Sequence, residues 1–380
     1  MPNSPSWRRL TEVPFLDLRA AYDELAPEIE FAVHRAVSSG WYIGGPEVEA
    51  FESAFADYCG ANHCVGVANG LDALHLSLLA LGIGAGDEVI LASNSYIATV
   101  LAVTMAGATP VFVEPDPATY NLDPARISEA VTSRTKGILP THLYGQPADI
   151  DEIRAIAREH DLRVIEDAAQ AHGARYKGRR LGAHSDVICW SFYPTKNLGA
   201  FGDAGAITTN DSAIARQIRT LGNYGTASKR YVSEVRGVNS RLDPVQAAVL
   251  GVKLKHLDAW NRRRAEAAAF YRSHLPSGLV ELPHVPDWAE PAWHLFVIRH
   301  PDRDMLMARL LERGVQTLVH YPVPPHLQRA YADLSIPPGS FPVAEDLAAT
   351  VLSLPIGPHV SREQQMHVVE ALQESATAAA

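Results

Sequence analysis

The feature that most constrains this chain of 380 residues is a change of rhythm at about residue 62. From there, short runs rich in β-formers alternate with longer helical ones. Residues 63–68, 88–92, 110–113, 137–143 and 163–166 read as strands. Residues 71–81, 97–106, 124–131 and 150–160 read as the helices between them. Parallel strands need long crossover connections, usually helices, so this alternation predicts a mostly parallel sheet covered on both faces, an α/β class. Residues 187–192 and 205–209 add two strands, the second with Gly202 and Gly205 around it.

Amphipathic stretches precede the alternation. Leu18, Tyr22, Leu25, Ile29, Val33 and Val37 recur at helical spacing, and Pro46 opens a second helix carrying Val48, Phe51 and Phe55 on one face. Residues 244–271 read as one long helix, with Leu250, Leu254, Leu257 and Trp260 on one side, that links the large domain to a smaller one. A strand at 295–298, a helix at 304–313, a proline-rich segment at 320–325 and an alanine-rich tail follow. The expected division is a large domain over 1–243 and the linking helix with a small C-terminal α+β domain over 244–380.

Composition narrows the function classes. A hydrophobic share of 47% with 20% charged residues is that of a soluble globular protein. No apolar run approaches the roughly 20 residues that span a bilayer. Residues 1–9 carry two arginines with no apolar core behind them, which argues against export. Three cysteines, none in a Cys-x-x-Cys pair, suit a reducing cytoplasm. The net charge of −10, with no basic run longer than the arginines at 262–264, argues against a nucleic-acid partner. The glycines at 82, 84 and 86 lack G-x-G-x-x-G spacing and lie at the wrong junction for a dinucleotide site.

Three places can carry chemistry. Asp167 closes a strand, where functional groups of open α/β sheets gather; it could hold a pyridine nitrogen protonated or merely cap a helix. Lys196, in Ser-Phe-Tyr-Pro-Thr-Lys-Asn-Leu-Gly at 191–199, could be a desolvated Schiff-base amine or a plain surface lysine. At 69–74, Asn-Gly-Leu-Asp-Ala-Leu stops a strand and starts a helix, whose free amides suit a phosphate if this is more than an ordinary turn.

With these residues go further motifs: Ser-Gly-Trp-Tyr at 39–42, His-Leu-Tyr-Gly-Gln at 142–146, Glu-Asp-Ala-Ala-Gln-Ala-His-Gly at 166–173, Asn-Ser-Arg-Leu-Asp at 239–243 and His-Tyr-Pro-Val-Pro at 320–324. On them the chain resembles the DegT/StrS family of sugar aminotransferases; by the Asn-Gly-Leu-Asp-Ala-Leu segment and Ser-Tyr-Ile-Ala-Thr at 95–99 it resembles most the branch acting on dTDP-linked 3-keto-6-deoxy sugars. The resemblance implies the type I pyridoxal-phosphate-dependent transferase fold, a mostly parallel mixed sheet flanked by helices. It implies pyridoxal 5′-phosphate as cofactor, with pyridoxamine 5′-phosphate as its alternate form, and glutamate as amino donor. By the same resemblance, Lys196 carries the cofactor and moves the proton, Asp167 meets the ring nitrogen and Gln170 its phenolic oxygen. Tyr96 stacks on the ring, while Ser191 and the amides of Gly70 and Leu71 hold the phosphate. Asn239 reaches the phosphate from the other subunit of a homodimer. Tyr224, Arg241, His320 and Tyr321 are candidates for the sugar nucleotide, or structural polar residues. The same chemistry on a 4-keto sugar, and a non-catalytic regulator of the same fold, are the alternatives.

Overall fold

The computed structural model describes residues 12–227, 231–275 and 278–377; residues 1–9, read above for export, lie outside these. Helices α1 (Leu18–Ser38) and α2 (Pro46–Cys59) lead into a seven-stranded sheet. Its strands are β1 (His63–Val67), β2 (Glu88–Ala92), β3 (Thr109–Val113), β4 (Thr135–Leu139), β5 (Arg163–Asp167), β6 (Val187–Ser191) and β7 (Gly205–Thr209). The spatial order is β1-β7-β6-β5-β4-β2-β3, and β7 alone runs against its neighbours.

The sheet is buried on both faces, as its near-continuous apolar strands require. Successive side chains of a strand point to opposite faces. Ile90, Val164 and Ile188 therefore join Phe51, Phe55, Ile153 and Leu250, which come from α2, α5 (Ile150–Glu159) and α7 (Pro244–Leu254). Leu91, Ile165 and Ile207 join Leu74, Val100 and Ile218, which come from α3 (Gly70–Ala80), α4 (Ile97–Met105) and α6 (Ser212–Gly222).

A third core follows in the C-terminal part. The antiparallel pair β8 (Phe296–Arg299) and β9 (Val351–Leu354) packs with α8 (Leu257–His274), α9 (Arg303–Glu312) and α11 (Arg362–Thr377) around Phe296, Ile298, Leu306, Leu352 and Leu372. Helix α10 (Pro342–Thr350) leads directly into β9.

Several sequence expectations are corrected. The helix expected over 244–271 is two, α7 and α8, separated at Lys255 and His256. Its apolar stripe continues across the break because Leu250, Leu254 and Leu257 all enter the first core. The strand expected to reach residue 143 stops at Leu139, since Leu143 belongs to a tight turn in which Tyr144 takes positive φ. The helix expected at 124–131 is a 3-10 turn followed by one helical turn. Helices α10 and α11 and strand β9 are additions to the expected elements.

Candidate active site

Strands β1, β2, β5 and β6 run in one direction, so their carboxyl ends share one edge of the sheet. That is where an open α/β sheet presents ligands with helix N-termini and loop residues. β1 is followed by Asn69 and Gly70, β2 by the segment to Tyr96, β5 ends on Asp167 and β6 on Ser191. Residues far apart in sequence are thus gathered by strand direction alone.

Asp167 is in phase with Ile165 and faces α4. Its Oδ2 accepts from the Thr99 hydroxyl at 2.8 Å and its Oδ1 from the Ala169 amide at 3.1 Å. No helix follows it, so the capping alternative is excluded. Burial pushes its carboxyl above the usual aspartate value, opposed by the Ala169 amide, the Thr99 hydroxyl and the Lys196 charge. Glu166, in the opposite phase, meets His142 on the other side of the sheet, Nε2 to Oε2 at 2.8 Å. The Ala148 amide donates to His142 Nδ1, so Nε2 carries the proton that bonds Glu166.

Lys196 sits in the loop after β6. Burial drives its amine down to about 8, with Asp167 pulling the other way. The loop is held on several sides. Asn197 Nδ2 donates to Ala292 O at 2.7 Å and to Asn261 Oδ1 at 2.9 Å, and His294 Nδ1 meets Asn197 Oδ1 at 3.2 Å. Lys253 Nζ donates to Gly199 O at 2.7 Å and the Phe201 amide to Gln246 Oε1 at 2.8 Å.

Gln170 is clamped between two tyrosines. Its Oε1 accepts from the Tyr144 amide at 2.6 Å and its Nε2 donates to the Tyr321 hydroxyl at 2.9 Å. The Tyr321 ring lies 4.9 Å from that of Tyr96, itself half exposed at the start of α4. His320 lies next in the chain: its Nδ1 meets Ser353 Oγ at 2.8 Å and its ring stacks on Phe15. Burial pushes its imidazole down to about 4, so it is neutral at pH 7.

The start of α3 has the form of an anion cradle. Asn69 Oδ1 takes the Asp72 amide at 2.8 Å, and the amides of Gly70 and Leu71 have no partner among the described residues. A Cβ on Gly70 would lie 2.6 Å from Ser191 Cβ, and one on Gly205 would lie 2.4 Å from Asn69 O. Only glycine lets Ser191 and the helix N-terminus approach this closely. Gly70→Ala should therefore open the cradle and weaken binding of a phosphorylated cofactor by at least about tenfold, the effect of losing one charge-assisted hydrogen bond. Equilibrium titration of the cofactor measures it, and unchanged affinity would contradict the cradle.

Asn239, Arg241 and Tyr224 form a separate cluster in the loop after α6. Asn239 pairs through its backbone with Asn223, Arg241 Nη1 donates to Asn223 Oδ1 at 3.0 Å, and the guanidinium lies over the Tyr224 ring. Asn239 is exposed, while its neighbour Ser240 accepts the Ala68 amide at 3.0 Å and ties the loop to the end of β1. Tyr144 and Asn197 lie within the His-Leu-Tyr-Gly-Gln and Ser-Phe-Tyr-Pro-Thr-Lys-Asn-Leu-Gly motifs, yet the contacts of Thr99, Tyr144, Asn197 and His294 carry no signal in the sequence. Each acts through a partner dozens of residues away, and no local pattern announces it.

The chain matches the model of the DegT/DnrJ/EryC1/StrS aminotransferase family over residues 23–373. It is 58% identical over 366 residues to the erythromycin biosynthesis sensory transduction protein EryC1 of Saccharopolyspora erythraea, covering 96% of this chain and 100% of that one. It is 54% identical over 364 residues to the dTDP-3-amino-3,4,6-trideoxy-alpha-D-glucose transaminase of Streptomyces venezuelae, covering 95% and 96%. The crystal structure of S. venezuelae DesV in complex with a ketimine intermediate superposes with a TM-score of 0.94 at 54% identity, covering 96% of this chain and 98% of that one.

Proposed function

The chain belongs to the DegT/DnrJ/EryC1/StrS aminotransferase family, and we propose that it uses pyridoxal 5′-phosphate to transfer the amino group of glutamate to C3 of a dTDP-linked 3-keto-6-deoxy hexose. The observation that carries this reading is the meeting, on one sheet edge, of a buried carboxylate, an amine lowered to about 8 and two bare helix amides. These groups suit, in turn, a protonated ring nitrogen, an aldehyde carbon and a phosphate. The similarity to the C3 transaminase of S. venezuelae supports the regiochemistry.

When bound, the cofactor supplies an electron-withdrawing ring that stabilises negative charge on the donor carbon. The rest falls to the residues of this chain. Gly70, Leu71 and Ser191 hold the phosphate. Asp167 would hold the ring nitrogen, its buried charge favouring the protonated form there. Gln170, fixed by Tyr144 and Tyr321, offers an amide to the phenolic oxygen, and Tyr96 lies against the ring. Lys196 would hold the cofactor covalently between turnovers. Once free, its amine would move a proton from the donor α-carbon to the cofactor's C4′ in one half-cycle and from C4′ to C3 of the sugar in the other, one base used in both halves of a ping-pong cycle. An amine near 8 is unprotonated often enough at pH 7–8 for that work. Tyr224, Arg241, His320 and Tyr321 remain the candidates for the sugar nucleotide, with Arg241 as the cation for its diphosphate.

Assay of dTDP-3-keto and dTDP-4-keto sugars with glutamate tests this reading. Product nitrogen is expected at C3, and nitrogen at C4 would overturn it. EryC1 is named for sensory transduction, so a binding-only reading has a specific motive. Visible absorbance separates the two: an aminotransferase is yellow with cofactor and bleaches on adding glutamate.

The enzyme is read as a cytoplasmic homodimer serving deoxyamino-sugar and antibiotic biosynthesis, with residues 1–243 carrying the cofactor and 244–380 forming the smaller domain. Among the described residues no helix is long and apolar enough to cross a membrane. The exposure of Asn239 supports its reaching the cofactor phosphate of the other subunit. Mixed dimers of Lys196→Ala and Asn239→Ala subunits test this. In trans, one site holds both defects and the other is intact, so activity should exceed the mean of the parents at limiting cofactor. Activity at or below that mean would place Asn239 in its own subunit's site.

A further inference from the structure

A cavity of about 220 Å³ lies beside the Lys196 loop, bounded also by the start of α1, by α7 and α8, and by Pro358 and His359. Much of its wall is apolar, supplied by Leu16, Leu18, Ala21, Pro194, Phe201 and Trp260. Lys196, Lys253 and Arg264 line it, and Asp17 is the one acidic residue among the lining. That carboxylate is committed: Asp17 Oδ1 caps α1 by accepting the amides of Arg19 at 2.9 Å and Ala20 at 3.1 Å.

The two cations on the helices are deeply buried, Lys253 at 5% and Arg264 at 3% exposure. Neither has a carboxylate partner among the described residues. Lys253 Nζ donates to Gly199 O and lies 4.4 Å over the Phe201 ring, which leaves ammonium protons uncommitted. Arg264 uses only Nη1, shared among the carbonyls of Trp293, His294 and Ile356 at 3.2–3.3 Å. Burial accordingly pushes Lys253 down to about 8 and Arg264 to about 10. Burying unpaired cations is costly, and a chain that keeps two of them on one cavity gains by binding an anion there.

We propose that this cavity binds a small carboxylic acid, its carboxylate between Lys253 and Arg264 and its carbon chain along Trp260 and Phe201. The volume falls below the range of about 300–1,000 Å³ usual for drug-sized ligands, too small for a nucleotide sugar. Lys196 on the wall sets the bound acid beside the transamination site. In that respect the inference rests on the proposed function: the amino donor and its keto-acid product are acids of this class. A carboxylate effector would have the same chemistry.

Glutarate, a dicarboxylate with no amine to react, is the probe. Titrated into cofactor-loaded enzyme and followed by calorimetry and tryptophan fluorescence, it should bind saturably. Lys253→Met removes the charge while keeping the length of the side chain and should raise the Kd for glutarate at least tenfold. Ala21→Phe fills the cavity, removes no charge, and should do the same, which separates occupancy of the cavity from any shift of the Gly199 loop. Both variants should keep the visible absorbance of the bound cofactor. Competition between glutarate and glutamate in the bleaching reaction supports the site as the donor's; inhibition without competition supports it as an effector's. No saturable binding to the parent enzyme, or an unchanged Kd in either variant, overturns the proposal. Bleaching by glutamate reads the proposed function separately: an enzyme that bleaches normally and binds no glutarate keeps that function and loses this site.

Discussion

Lys196→Ala is expected to lower turnover by at least ~10⁴-fold, the upper end of what a positioned proton-transfer group contributes, while the protein still binds pyridoxal phosphate. The reasoning separates two jobs. Holding the cofactor is shared among the α3 amides, Ser191, Asp167 and Gln170, none of which this change touches. Moving the proton falls to one amine, and no histidine around it is an equivalent base. His172 is fully buried and pushed down to about 3, and His320 is pushed down to about 4 and turned toward Ser353. His294 is buried, held well below its usual range, and engaged with Asn197. The visible band should move to that of free, non-covalent aldehyde. Stopped-flow measurement of bleaching with glutamate checks the rate. Activity within tenfold of the parent would remove Lys196 from its role.

Asp167→Asn is expected to slow turnover by roughly 10³-fold, or about 4 kcal/mol of barrier, with only a modest loss of cofactor affinity. Asparagine keeps the shape, so one oxygen can still accept from Thr99 or the Ala169 amide. It removes the negative charge, and in a site this dry a charge facing a ring nitrogen matters more than it would in water. The pH dependence of the visible spectrum gives a readout beyond rate. The ring nitrogen should lose its proton at lower pH in the variant, because the charge that favoured the protonated form is gone. An unchanged rate would mean that Asp167 serves only to order the turn at Ala169.

The motifs that carry the family resemblance lie in short contiguous stretches, which is why Lys196, Asp167, Gln170 and Ser191 are legible in the amino-acid sequence. Each local signal is weak alone, a strand end, a strand–helix junction or a turn-rich loop after a strand, and their order along one α/β domain raises them together. The groups that tune them are not legible there. Thr99 sits in the first turn of α4 and Tyr144 in a tight turn after β4, and each meets its partner because the sheet order brings β2, β4 and β5 side by side; His294, just before β8, meets Asn197 in the loop after β6. The cavity beside Lys196 is equally hidden. Lys253 and Arg264 look like solvated helix charges in one dimension and are buried in three.

The break between α7 and α8 shows the same division from another side. The apolar period runs unbroken through Leu250, Leu254 and Leu257, so periodicity alone predicts one helix; the turn at Lys255 and His256 is decided by tertiary packing, which sends α7 to the sheet and α8 on to the third core. What the sequence by itself determined was the alternation of strand and helix and the burial of the sheet on both faces, because these follow from local periodicity; the identity of the central residues came with the motifs that carry the family resemblance. What only the tertiary structure decided was which side chains converge. The reversal of β7, the facing of Asp167 to Thr99 and of Glu166 to His142, and the gathering of buried cations around one cavity depend on strand order and on contacts between residues far apart in the chain.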